Sequence, residues 1–276
     1  MGRLTELAGL GLRAARQYGA GDGARLAWHL RGPGAAIREI ALPGMRHPFA
    51  FRPGTSDVAT LDQIFVRRSL DLAGFEQQRV ADAVIRGMGA KALILDAGAS
   101  IGPSSVWFAN AYPEATILAV EAAPVNIALL ERNAAPYPNI VPIHAALWRR
   151  GGKVAIADPA AEPWAIQVAP VDDGAPAGLP VVSVEELLEE RPGLVLAAAK
   201  FIVEGAETAI VEAMPAWLDA SPYVIFKPSD WREPWTGSGH AMFSALGRQP
   251  SDYIVKEGNL FCFRRPPTID GAAGRL

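Results

Sequence analysis

A single cysteine excludes an internal disulfide. Cys262 lies in the apolar run Leu260-Phe261-Cys262-Phe263, where a thiol is expected to be buried and inert, and a reducing, cytoplasmic setting fits. Histidine is also scarce: His29, His47, His144 and His240 are scattered, none joined to a second ligand at helical or hairpin spacing, so no metal site is expected. Basic residues are not in excess. A net charge of −3 and a pI near 5.9 argue against the basic face that nucleic-acid partners need. The one leucine-rich N-terminal stretch is interrupted by Glu6 and Arg13 before it reaches signal-peptide or membrane-spanning length, so neither a targeting nor a transmembrane segment is expected. Internal repeats and low-complexity tracts are absent. So are the Gly-x-Gly-x-x-Gly dinucleotide fingerprint and a Tyr-x-x-x-Lys pair, which sets aside an NAD-dependent oxidoreductase.

What is present is enough apolar sequence, 50% of 276 residues, to bury one large core. Residues 1–45 read as a helical extension, closed off by Gly32-Pro33-Gly34 and Pro43-Gly44. Its Leu4, Leu7, Leu10 and Leu12, beside Arg13, Arg16 and Arg25, suit a helix that caps the domain better than one that lies on a membrane. Residues 46–265 read as one α/β domain, and 266–276 as a flexible tail. Ser56-Asp57 can cap a helix carrying Leu61, Ile64, Phe65 and Leu72, and a second helix spans about 77–88. Strands are expected at 92–96, 116–121 and 140–144, with helices opened by Pro103 and Pro124 between them. Runs 145–148 and 153–156, parted by Gly151-Gly152, read as a hairpin, and Ser183-Val184-Glu185-Glu186 as a capping box. A buried strand at 194–203, a helix at 206–217, a strand at 223–226 and a helix near 241–246 follow. A pair at 253–256 and 260–264, turned by Glu257-Gly258-Asn259, closes the pattern.

The most informative stretch is Ile94-Leu95-Asp96-Ala97-Gly98-Ala99-Ser100-Ile101-Gly102. An apolar run ends in an acid, a glycine turn opens a helix, and the next apolar run ends at Val120-Glu121-Ala122. Open α/β sheets place nucleoside pockets at such strand ends. With Ala97 and Ala99 breaking the phosphate-binding frame, the loop suits a nucleoside cofactor without phosphate, such as S-adenosylmethionine. Methyl transfer from a sulfonium needs alignment of an acceptor and, for an alcohol, a base.

Arg52-Pro53-Gly54-Thr55-Ser56-Asp57, the 96–102 loop, Val120-Glu121, Asn133, Ala145-Ala146-Leu147-Trp148, Glu204-Gly205-Ala206-Glu207 and Gly258-Asn259-Leu260 together resemble the FkbM-type family of S-adenosylmethionine-dependent methyltransferases. The resemblance covers residues 46–265. It implies a class I methyltransferase (Rossmann-like) fold, a seven-stranded mostly parallel sheet with an antiparallel last strand and helices on both faces. It also implies O-methylation of a hydroxyl on a small metabolite, saccharide or polyketide. On the matched positions, Gly98 and Gly102 would let the backbone approach the methionine portion, Asp96 would bind its ammonium directly or through water, and Glu121 would accept from both ribose hydroxyls. Ala99, Ser100, Ile101 and Ala122 complete the expected cofactor contacts, while His144 reads as structural.

The chain departs from the family where acceptor chemistry sits. The family usually has Lys-x-Asp-x-Glu-Gly, then a Glu and a His before an Asp; here Ile202, Lys227 and Ser229 replace the Asp, the Glu and the His. The remaining catalytic candidates are Glu204 and Asp230, bases if burial raised their pKa, and Lys200. Lys227 would repel a sulfonium unless it points away or pairs with Glu204 or Asp230. Trp231, Trp235 and Phe243 with Gly237-Ser238-Gly239-His240 are expected to form a mobile lip. Two readings stay open: an O-methyltransferase with a rearranged acceptor site, or a catalytically degenerate relative that binds cofactor or a partner, with a homo-oligomer possible for either.

Overall fold

The computed structural model describes residues 2–30, 36–43, 45–151, 153–157, 167–171, 178–203, 205–212, 215–230, 232 and 234–264. Seven strands form the central sheet: β1 (Ala92–Ala97), β2 (Thr116–Glu121), β3 (Ile140–His144), β4 (Val195–Phe201), β5 (Tyr223–Phe226), β6 (Ser251–Lys256) and β7 (Asn259–Arg264). Their order is β6-β7-β5-β4-β1-β2-β3. The pairs β5-β4-β1-β2-β3 are parallel, and β7 runs antiparallel to both β5 and β6. This is the class I methyltransferase arrangement expected from the sequence, and its strand order reverses between β1 and β4, where open α/β sheets bind ligands.

Alternation along each strand builds a layer on either face. From β1, Ile94 joins one cluster and Leu93 and Leu95 the other; from β7, Phe261 and Phe263 face one way and Cys262 the other. The first layer is closed by α1 (Gly2–Tyr18), α2 (Ala20–Leu30), α3 (Asp57–Leu61), α4 (Glu76–Met88), α5 (Pro103–Ala111) and α6 (Pro124–Ala134). The second is closed by α7 (Val184–Glu189), α8 (Glu207–Val211), α9 (Ala216–Ala220) and α10 (Ser238–Leu246). Fully covered strands of this kind carry continuous apolar runs, as β1 does with all six residues buried.

The N-terminal helices pack on the domain. Leu10 and Ala14 of α1 and Leu26, Ala27 and Leu30 of α2 are buried in the first layer. The two helices approach closely at Gly23, where a Cβ would stand 2.3 Å from the Ala15 nitrogen. Arg13 ties α1 to the turn that follows α3, donating to buried Asp62 at 2.5 Å. Asp62 opens a π-helical turn, Asp62–Val66, that continues α3 and replaces the longer helix expected there.

Four further expectations are corrected. Ser56 makes no side-chain cap; Asp57 instead accepts both from the Arg52 backbone and from its guanidinium, each at 2.8 Å, which pins the Arg-Pro-Gly-Thr-Ser-Asp turn. The 145–148 and 153–156 runs do not pair with one another: Ala146–Leu147 lies parallel to Val181–Val182, and Val154–Ile156 antiparallel to Val168–Pro170. Runs this short carry no preference for a partner, so whatever the chain path brings alongside takes the ladder. The expected 206–217 helix is split into α8 and α9, with Pro215 as the cap of α9, because proline cannot supply the N–H a continuous helix needs. The capping box at Ser183 forms as expected, with Glu186 and Ser183 bonding reciprocally. The terminal turn is narrower than expected, using Glu257 and Gly258, both at positive φ, with Lys256 facing Asn259 across it.

Candidate functional site

The carboxyl ends of β1 to β5 open onto one cavity of about 320 Å³. Gly98, Ala99 and Ser100 line it after β1, Glu121 and Ala122 at the end of β2, and Ala145, Ala146 and Leu147 beyond β3. Lys200, Ile202 and Val203 line it from β4 and Lys227 from beyond β5. Ser56, Thr60, Gln63 and Ile64 roof it from α3 and the π turn.

The turn after β1 is fixed by its neighbours. Gly98 and Ala99 both donate to the Val120 carbonyl at 3.0 Å. Gly98 has φ 72, and a Cβ there would lie 1.9 Å from the Ile202 carbonyl oxygen, so this glycine is required by the approach of the β4 exit. Ser100 also sits in the left-handed region, with φ 53, and its N–H donates to Glu121 Oε2 at 2.7 Å. Glu121 Oε1 accepts from the Ala123 N–H at 2.9 Å and from Asn126 Nδ2 at 3.2 Å. Asn126 in turn accepts from the Arg52 guanidinium at 2.7 Å, which joins the Arg-Pro-Gly-Thr-Ser-Asp turn to the acid of β2. Burial pushes the Glu121 carboxyl above its ordinary range, opposed by hydrogen bonds from Ala123, Ser100 and Asn126 and by the charge of Lys200. Asn133 is a second tie: it accepts from the Ala50 N–H at 2.7 Å and donates to the Ala50 and Ile101 carbonyls at 2.9 and 2.8 Å.

Asp96 does not face the cavity. Its side chain is fully buried, accepting from the Ser104 and Ser105 hydroxyls at 2.7 and 2.6 Å and from the Lys200 ammonium at 2.8 Å. Fully buried and outside the lining, it presents no oxygen to the cavity for direct contact with a ligand ammonium. Ile101 is packed in the core, and Gly102, with φ 95, caps α5 against Leu130; neither lines the cavity. Of the expected cofactor set, Gly98, Ala99, Ser100, Glu121 and Ala122 come together around it.

Of the catalytic candidates, Lys200 lines the cavity but is held by Asp96, with the Gly98 carbonyl 3.3 Å from its nitrogen. Asp230 lies outside the lining and accepts from the Ser238 hydroxyl at 2.7 Å and the Gly239 N–H at 2.6 Å, capping the start of α10. The Ser238 hydrogen bond holds its carboxyl below the usual carboxylate range, opposite to what a base at neutral pH needs. Glu204 and Trp231 lie outside the described residues. Ser229 is buried, and among the described residues no partner reaches its hydroxyl. The expected lip is also corrected: Phe243 packs edge-on against Phe226 at the end of β5, Trp235 is wholly exposed, and neither lines the cavity. His144 is exposed at the end of β3, outside the lining.

The roof was missed from sequence. Its one local signal is the placing of Ser56, Thr60 and Gln63 four and three residues apart, a polar stripe on one helical face. Among the described residues no group of three or more metal-ligating side chains occurs, and no helix is long and apolar enough to cross a membrane.

No protein-family model and no curated protein matches the chain. Among solved structures it is similar to the O-methyltransferase TomG from Streptomyces achromogenes, in complex with S-adenosylmethionine, at 15% identity, over 75% of this chain and 89% of that one, with a TM-score of 0.39. It is similar to the precorrin-6y C5,15-methyltransferase from Geobacter metallireducens at 11% identity, over 68% and 87% of the two chains, TM-score 0.38. It is also similar to Aeropyrum pernix fibrillarin, with natively bound S-adenosyl-L-methionine, at 14% identity, over 67% and 74%, TM-score 0.37.

Proposed function

We propose that this chain is an FkbM-type methyltransferase that binds S-adenosylmethionine in the strand-end cavity and methylates an oxygen of a small acceptor. The observation that carries this reading is Glu121: a buried carboxylate in the lining at the end of the second strand, facing a glycine turn that is itself anchored to that strand. The volume of about 320 Å³ is within the range of small-ligand sites. The donor set fits the cofactor part by part. Glu121 suits the ribose, and the count is restrictive: a carboxylate has about four lone-pair sites. Three are taken by Ser100, Ala123 and Asn126, so one ribose hydroxyl, and not two, is accepted without breaking a protein contact. Ala122, Ala146 and Leu147 offer an apolar wall for the adenine, while Lys200 of β4 and the first turn of α5 at Ser104 suit the carboxylate of the amino-acid end. Asp96 acts one step back, holding Lys200 in place. When bound, the cofactor supplies a methyl group already activated by its sulfonium; the residues of this chain orient the partners and exclude water.

Calorimetric titration with S-adenosylmethionine and S-adenosylhomocysteine tests the reading. Binding by the wild type, weakened about tenfold or more in Glu121→Ala, is the expected result for loss of a charge-assisted hydrogen bond in a closed site. Absence of binding by either compound refutes it. Ile202 and Lys227 on the acceptor wall favour the second reading, binding without transfer, over a base-assisted alcohol methylation. Transfer of labelled methyl to an added oxygen acceptor separates the two.

A further inference from the structure

We infer that two copies of this chain pair through their β6 strands, antiparallel about a two-fold axis at Ile254, so that their sheets join into one. β6 ends the sheet, and among the described residues it pairs with β7 alone. Lys256 and Asn259 flank the two-residue turn and exchange both hydrogen bonds across it. Alternation along the ladder then aims the N–H and C=O of Ser251, Tyr253 and Val255 outward. Edges of this kind are ordinarily blunted by a proline, a bulge or extreme shortness. β6 has six residues, no proline and an unbroken register with β7. Val255 is 68% exposed and Tyr253 37%, both on the second-layer side, opposite Leu260 and Cys262, and half-exposed Phe243 lies against the Tyr253 ring. An open ladder therefore runs beside an exposed apolar strip.

The strand that fits this edge is the edge itself. In Asp252-Tyr253-Ile254-Val255-Lys256, an antiparallel copy centred on Ile254 sets Asp252 opposite Lys256 of the second copy and Tyr253 opposite Val255 of the second copy. Each match occurs twice, as a two-fold axis requires. Opposite charges and aromatic-aliphatic pairs are the favourable cross-strand contacts. The same register lets the outward backbone groups of Tyr253 and Val255 exchange hydrogen bonds with those of Val255 and Tyr253 in the second copy, so side chains and ladder agree. Neighbouring registers do worse. An axis at Asp252 or Lys256 sets like charges against each other, and one at Tyr253 or Val255 sets a charge against Ile254. Within its own chain Asp252 accepts from Gln77 at 2.9 Å, and Lys256 donates to the Arg68 and Asp71 carbonyls at 2.9 and 2.5 Å. Among the described residues neither is in an ion pair, so each keeps its charge for the second copy.

Sedimentation equilibrium of the full chain, over about a hundredfold range of concentration, tests the pairing without any ligand. The mass is expected to rise with concentration to twice the 29.3 kDa of one chain. Asp252→Lys and Lys256→Glu should each weaken association about tenfold or more, because each sets like charges together at both symmetric contacts. An equimolar mixture of the two variants should regain the wild-type association, since opposite charges then meet at both contacts. Val255→Lys, at a side chain outside the core, should weaken association to a similar extent and tests the apolar strip independently of the charges. Far-UV dichroism verifies that each variant is folded. A monomer at every concentration, a dimer that Val255→Lys leaves unchanged, or two folded charge variants whose mixture associates no better than either alone overturns the inference. None of these outcomes bears on the methyl-donor cavity, which lies at the strand ends and not at the sheet edge.

Discussion

The buried pair Asp96 and Lys200 carries the sharpest stability prediction. The side chains are 0% and 4% exposed, with nitrogen and oxygen 2.8 Å apart. An exposed pair would contribute at most about 1 kcal/mol. Removing one member of a buried pair instead strands the other charge, at about 3–5 kcal/mol. The two single variants should differ within that range. In Lys200→Met, the Asp96 carboxylate keeps the Ser104 and Ser105 hydroxyls at 2.7 and 2.6 Å, which still solvate it, so the low end, about 3 kcal/mol, is expected. In Asp96→Leu, the ammonium keeps only the Gly98 carbonyl at 3.3 Å, so the high end, about 5 kcal/mol, is expected. The double variant strands no charge; the two serines sit in the first turn of α5, where their hydroxyls can turn to nearby backbone carbonyls. Its cost should stay near 2 kcal/mol, far below the sum of about 8, because a well-packed apolar pair can replace a buried ion pair at little loss. Equilibrium urea unfolding with unchanged m-values measures all three. Additive costs, or single variants within about 1 kcal/mol of wild type, would refute the reasoning.

The remaining predictions use the same site and core. Glu121 has a native pKa above its unfolded value, so its contribution to stability is full below the unfolded range and is lost as pH rises through the native one. The wild-type stability minus that of Glu121→Gln should therefore fall between pH 4 and pH 7 in urea unfolding, and a rising difference would contradict the assignment. Gly98→Ala meets the Ile202 carbonyl at 1.9 Å and should cost more than about 3 kcal/mol, whereas Gly151→Ala, at φ 70 with nothing within 4 Å, should cost only about 1–2 kcal/mol of backbone strain. Asn133→Ala leaves the Ala50 N–H and two carbonyls without their partner, an expected loss of about 3 kcal/mol or more on thermal or urea unfolding. Cys262 is fully buried, and burial pushes its thiol pKa up, so a disulfide reagent should modify it only after unfolding.

The sheet was legible because each strand states two things locally: continuous apolar character, and alternate residues that fill two separate layers. Tyr223 and Ile225 enter one layer and Val224 and Phe226 the other, and the reading of 223–226 as a strand needs nothing beyond those four residues. Pro215 was legible too, and a continuous 206–217 helix gave it too little weight. Partner choice was not legible. Nothing in Ala146–Leu147 names Val181–Val182, because two residues of ladder are compatible with many partners.

The same limit explains why two strand-end acids that look alike in sequence do different work. Pairing between β1 and β2 ends at Ala97 and Val120. Asp96 is one position inside that last pair, where the parallel register of β4 sets Lys200 directly beside it, and a buried carboxylate next to an ammonium is bound to pair with it. Glu121 is one position beyond the last pair, so no β1 residue stands opposite, and its carboxylate turns to the Ser100 and Ala123 N–H groups at the rim of the cavity. A shift of one residue in where each acid sits against the end of pairing thus decides which becomes a strut and which faces the cavity. That shift is set by strand register across residues 96 to 200, a distance over which local sequence carries no signal.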